Sequence, residues 1–156
     1  MPRLALTALV LLAGVALTGC AGTVSMQPAK GSSDPLCADV AVRLPDTVAG
    51  LPRRWTDAQA TGAWGDPAAV LLTCGVTPPG PTTLRCQTVG GVDWIIDESR
   101  APEYLFTTYG RTPAVEVYLD YDVVSGGEAL QALSPILEQL PKDAECVAPE
   151  DATPAP

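Results

Sequence analysis

Histidine is absent from the chain. That absence excludes Ser-His-Asp and Cys-His catalytic sets and every histidine-ligated metal site. There is no Gly-x-x-x-x-Gly-Lys loop to cradle phosphates. No Cys-x-x-Cys spacing occurs, so zinc has no ordinary ligand pattern, and we expect neither metal nor cofactor. Positive charge is scarce, with nine Lys and Arg against eighteen Asp and Glu. Such a surface repels nucleic acid and anionic lipid headgroups. Aromatic residues are few: three Trp, four Tyr and one Phe.

What is present begins at the N-terminus. Met1-Pro2-Arg3 is a short positive end, and Leu4 to Leu17 is apolar except at Thr7 and Gly14. This run is too short to span a bilayer, which takes roughly 20 helical residues, and it matches the core of an export signal. Leu17-Thr18-Gly19-Cys20 fits a lipobox, an aliphatic residue and two small ones before cysteine. Residues 1–19 are therefore read as a lipoprotein signal peptide. The Cys20 thiol would accept a diacylglyceryl group, and cleavage would leave it as the first residue. Two acyl chains anchor stably, because each buried CH₂ contributes about 0.8 kcal/mol. The expected place is the extracytoplasmic face of the cell membrane, held through the lipid on Cys20.

Cleavage after Gly19 leaves 137 of the 156 residues, one domain's worth. Eight bases then face eighteen acids, a net charge of −10. The body is expected to stand off the membrane on its acyl chains. Cys37, Cys74, Cys86 and Cys146 remain, an even number that in an exported protein implies two disulfides. Of the three connectivities, the reading favours Cys74–Cys86, which brackets a Pro- and Gly-rich turn, and Cys37–Cys146, which closes most of the domain.

Residues 20–33 read as the lipidated cysteine and a flexible tether, 34–147 as the folded domain, and 148–156 as a disordered tail. Asp34-Pro35 looks like an N-cap and first helical residue, and Leu36, Val40 and Leu44 recur at helical spacing. Asp46 to Ala63 is ambiguous, a loop with a helical turn. Four strand regions follow: Ala69–Val76, a buried central strand; 84–97, with a bulge or bend at Gly90-Gly91; Tyr104–Thr108; and Ala114–Tyr121. Tyr109 to Pro113 reads as a hairpin turn. Ser125 and Glu128 make a capping box, and Leu130, Leu133, Leu137 and Leu140 trace one helical face, with a kink expected at Pro135. The fold class is α+β: a small antiparallel sheet of about four strands, a helix at each end packed on one face, and two disulfides.

Candidate chemistry is sparse. Asp93, Asp97 and Glu98 surround Trp94 and offer the carboxylates of a hydrolase acting on cell-wall glycan or peptide. Alternation on a strand makes Asp93 and Asp97 a solvated face instead. Asp120, Asp122, Ser125 and Glu128 loosely match a calcium loop but lack its third acid and its glycine. Arg53, Arg54 and Arg111 could form an anion pocket near Trp55 or Trp64, suiting a carrier of small anionic ligands. Internal pairing with the many acids competes with that role. Most tryptophans of a small domain are core, and Trp64, beside Gly65-Asp66-Pro67, is the one expected to line a groove. Trp64, Arg54, Arg111 and Asp93 are thus the candidate groove. No competent catalytic set emerges.

Three blocks carry a family resemblance. Ala63-Trp64-Gly65-Asp66-Pro67 leads into Ala68-Ala69-Val70-Leu71-Leu72-Thr73-Cys74-Gly75-Val76; Gly91-Val92-Asp93-Trp94 follows; then Tyr109-Gly110-Arg111-Thr112-Pro113-Ala114-Val115-Glu116-Val117. In this order, with four cysteines so placed, the chain from Asp34 to Val147 resembles the actinobacterial lipoproteins grouped as domain of unknown function 3515. The resemblance implies an envelope location and an actinobacterial source, and it carries over no catalytic residues. The expected function is a non-enzymatic binding or accessory module whose partner is an envelope protein or cell-wall component.

Overall fold

The computed structural model describes residues 22–147. The expected signal peptide at 1–19, Cys20 and the expected tail at 148–156 lie outside the described residues.

Helix α1 spans Pro35–Arg43. Asp34 Oδ1 accepts from Leu36 N at 2.8 Å, satisfying one of the open donors of the first turn, and Pro35 needs no partner there. Pro45 ends the helical run. The other helix, α2, spans Gly126–Leu137. Ser125 is its N-cap without a side-chain bond, so the expected capping box does not close; Glu128 in the first turn still complements the helix dipole. The helix runs through Pro135 as one element, without the bond that an N–H at this position would give to the carbonyl of Gln131.

Among the described residues the sheet has nine strands, not the expected four. They are β1 Thr23–Val24, β2 Thr47–Val48, β3 Leu51–Thr56, β4 Thr61–Trp64, β5 Val70–Val76, β6 Arg85–Val89, β7 Val92–Arg100, β8 Glu103–Thr108 and β9 Ala114–Asp120. Their order is β1-β3-β4-β5-β9-β8-β7-β6, with β2 beside β3. Pairing is antiparallel except between β1 and β3, which makes the sheet mixed. The ambiguous stretch before Ala63 is thus three strands. Gly90 and Gly91 are not a bulge. Both have positive φ (57° and 76°), and they form the two-residue turn of the β6–β7 hairpin, in which Val89 pairs with Val92.

Period-two alternation sends Val70, Leu72 and Cys74, Val92, Trp94 and Ile96, Phe106, and Val115, Val117 and Leu119 to one face. Both helices pack there, through Cys37, Val40 and Leu44 of the α1 region and Leu130, Leu133 and Leu137 of α2, in one apolar core. The opposite face carries a half-buried row of Leu71, Tyr118 and Leu105 in register, with Glu116 between Thr73 and Thr107 alongside.

The disulfides are Cys37–Cys74 and Cys86–Cys146, not the expected pairs. Cys74 lies on β5 and Cys86 on β6, with β9, β8 and β7 between them. Four strand spacings amount to about 19 Å, far beyond the roughly 4.4–6.8 Å that a disulfide allows between Cα atoms. The Pro-rich stretch after Val76 is a crossover along the sheet, not a hairpin. Cys37–Cys74 instead fastens α1 to the central strand, and Cys86–Cys146 fastens the C-terminal segment to β6. Two such bonds mark an oxidising, extracytoplasmic setting. No helix among the described residues is long and apolar enough to cross a membrane.

Nor are residues 22–33 a free tether. Thr23 pairs with Trp55 and Val24 with Thr56. Asp57 N donates to Val24 O at 3.3 Å, Met26 N to Asp57 Oδ1 at 2.8 Å, and Gly31 N to Gly75 O at 3.0 Å. The approach at Gly75 requires glycine: its φ is +92°, and a Cβ there would lie 2.3 Å from the carbonyl carbon of Gly31.

Candidate functional site

The four residues expected to share a groove fall into two groups at opposite ends of the sheet. Arg54 and Trp64 lie on β3 and β4; Asp93 lies on β7, and Arg111 follows β8. Strands β5, β9 and β8 separate β4 from β7.

Trp64 lines no groove. It is fully buried, and its indole N–H donates to Pro45 O at 2.9 Å. Gly62 is one reason it fits, since a Cβ there would meet the Trp64 ring at 2.8 Å. Arg54 Nη1 donates to Gly65 O at 2.9 Å and pairs with Asp66 at 2.8 Å. Its Nε and Nη2 both reach Gly22 O, at 3.3 and 3.2 Å. Arg54 therefore stitches the N-terminal segment to the β4–β5 turn.

At the far end, Arg111 is 3 % exposed. Its guanidinium donates to the carbonyls of Glu138 (2.9 Å), Leu140 (2.6 Å) and Gly91 (3.0 Å). Asp93 is equally buried, not on a solvated face, because the C-terminal segment covers that end of β7. Asp93 Oδ1 accepts from Thr88 Oγ1 at 2.5 Å, and Oδ2 lies 3.2 Å from Lys142 Nζ. The carboxylate beside it raises the pKa of Lys142, with Glu145 contributing. Backbone bonds from Asp143 N to Gly110 O and from Thr112 N to Pro141 O complete a clamp on residues 138–146. A Cβ at Gly110 would collide with Ala144 O at 2.0 Å, so the Gly110-Arg111 pair is built for this close approach. Lys142 had no sequence signal; an isolated lysine near the C-terminus reads as surface.

The remaining acids have local duties. Asp97 Oδ1 accepts from Ser99 N at 2.9 Å, and hydrogen bonds from Ser99 lower its pKa. Glu98 faces Arg85 at 3.7 Å. Asp120 Oδ1 accepts from Asp122 N at 3.0 Å. Among the described residues, no group of three or more Cys, Asp or Glu is placed to hold a metal.

Two of the clefts among the described residues lie at the two ends of the sheet. One, of about 430 Å³, lies beside the Cys86–Cys146 bond and includes Leu84, Ile95 and Tyr109. The other, of about 290 Å³, is formed by Asp46, Arg53, Arg54, Trp55 and Thr56. Trp55 is 84 % exposed, whereas Trp64 and Trp94 are fully buried. Sequence reasoning placed the exposed indole at the wrong tryptophan. The Arg53 fork caps α1, donating to Leu44 O at 2.9 Å and Ala41 O at 3.2 Å.

No curated protein and no solved structure matches the chain. A family described as a protein of unknown function, DUF3515, matches residues 2–145. That match takes in the Arg54 stitch, the Arg111 clamp and all but the last cysteine of the disulfides, and the chain belongs to the DUF3515 family.

Proposed function

We propose that this protein is a lipid-anchored component of the cell envelope that acts as a non-enzymatic binding or accessory module. The observation that carries the reading is the cysteine arithmetic. The four cysteines of the folded body pair with one another, so none of them is a partner for Cys20, whose sulfur stands at the end of a lipobox.

The side chains argue against the alternatives. A carboxylate hydrolase needs two accessible acids across a cleft; Asp93 is committed to Thr88 and Lys142 beneath the C-terminal segment. A carrier of small anions would use arginine forks, and those of Arg53, Arg54 and Arg111 are engaged with the protein's own carbonyls. What remains is a rigid, disulfide-fastened body with exposed clefts, suited to contact with another envelope component.

The test begins with fatty-acid labelling in the native host. Label on the natural protein and none on Cys20→Ser, which should also leave the membrane fraction, supports the reading. An unlabelled natural protein overturns it. Surface crosslinking should then recover an envelope protein or wall fragment. Turnover of wall glycan or peptide by the purified protein would overturn the non-enzymatic part.

A further inference from the structure

We infer that the β3 edge of the body rests on the membrane, with the Trp55 indole seated in the lipid–water interface. This rests on the reading that Cys20 carries the anchor.

The argument starts from chain length. Arg54 fixes the carbonyl of Gly22 through two bonds, and β1 is laid on β3 from Thr23 onward. Only two residue steps separate Cys20 from Gly22, and an extended chain covers about 7 Å in two steps. A body held that close to its acyl chains cannot stand off. Some part of its surface near Gly22 must meet the headgroup region, whatever the net charge of the rest.

The residue at that place suits the setting. Trp55 is the register partner of Thr23, so its side chain emerges beside the strand that leads back to the anchor. It is 84 % exposed in a chain whose other two tryptophans are buried. An indole has an apolar body and one N–H donor, and it prefers the bilayer interface to water. The charges around it nearly balance. Arg53, on the same strand face, bonds carbonyls and has no carboxylate partner among the described residues, so it presents net positive charge beside Trp55. Arg54 is neutralised by Asp66. Asp57 accepts from Met26 N and keeps its charge, and Asp46 shares the cleft. Arg53, Arg54, Asp66, Asp57 and Asp46 together leave one net negative charge, so the acidic excess of the molecule does not concentrate at this edge.

The test uses the full acylated protein, purified from membranes, with the lipid on Cys20 verified by mass spectrometry. It is reconstituted into phosphatidylcholine–phosphatidylglycerol vesicles bearing brominated acyl chains. Subtracting the emission of the Trp55→Phe variant isolates Trp55. That substitution changes a side chain outside the core, and circular dichroism checks that the fold is kept. The expected result is a blue-shifted Trp55 emission, most of it quenched by bromines just below the headgroups. Trp55 emission that stays water-like in acylated, vesicle-bound protein overturns the inference while leaving the anchor reading intact. Shielding that occurs only when a protein partner is added overturns it too. Absence of lipid on Cys20 defeats the anchor reading and, with it, this one.

Discussion

The guanidinium of Arg111 donates to the carbonyl oxygen of Leu140 at 2.6 Å inside the protein. It is the shortest of three bonds by which one side chain gathers α2's exit, the β6–β7 turn and the C-terminal segment. Arg111→Ala leaves the carbonyls of Glu138, Leu140 and Gly91 without this donor. We expect a loss of about 3–5 kcal/mol, read by chemical denaturation with the disulfides intact. Arg111→Lys recovers only part of it, because an ammonium cannot reproduce the planar fork.

Peptide mapping without reduction should yield Cys37 linked to Cys74 and Cys86 linked to Cys146. The linked residues are 37 and 60 apart in sequence, so chain entropy assigns each bond about 4 kcal/mol. Cys86→Ser with Cys146→Ser should lower stability by that order. The Cys37 and Cys74 pair should cost more, since both side chains are fully buried and their replacement leaves hydroxyls in the core.

Glu116 sits half-buried on the helix-free face of the sheet. Burial raises its pKa above the usual 4.5, against an opposing pull from Arg100. The folded state therefore binds this proton more tightly than the unfolded chain does. The resulting stability is fully present below pH 4.5 and is lost as pH rises through the folded value. Glu116→Gln should be more stable than the natural protein at pH 7, and the difference should close below pH 4.5. Melting curves across that range decide it.

Asp57 behaves oppositely. The bond from Met26 N, with Ser25 adding to it, lowers its pKa below 3.8. Its hold on the N-terminal segment is present above pH 3.8 and fails as pH drops through the folded value. Hydrogen exchange at Met26 should be protected at neutral pH and lose protection in acid. Asp57→Ala should lose it at every pH. Protection that persists in the variant would contradict the assignment.

Gly75→Ala should cost about 1–3 kcal/mol, combining a strained positive φ with a clash against Gly31. Its signature is faster exchange at Gly31, whose N–H bonds Gly75 O.

Much of the fold was legible where burial is one-sided. Val115, Val117 and Leu119 alternate cleanly on β9, and Leu130, Leu133 and Leu137 mark α2 at helical spacing; both patterns report a single covered face. Strands β2 to β4 were illegible for a physical reason. β3 holds Pro52, Arg53 and Arg54 because it is satisfied by different partners along its length, and β4 is buried on both faces, so neither alternates. Disulfide pairing depends on strand order, which local spacing does not encode. The proposed groove failed likewise. Whether Trp55 or Trp64 is covered is decided by α1 and the approach of Pro45 to β4, long-range contacts with no local mark. The paired acids and arginines were anticipated as a class, though not their carbonyl partners.

The strand order also sets where the two borders of the molecule lie. The polypeptide enters along β1 and closes, by way of Cys146, on β6 at the opposite rim. Seven strand spacings part these rims, at most about 34 Å across a twisted sheet. A reporter grafted after Val147 thus occupies the pole remote from Gly22. Its distance from any surface to which Gly22 is drawn becomes a gauge of how upright the domain is carried.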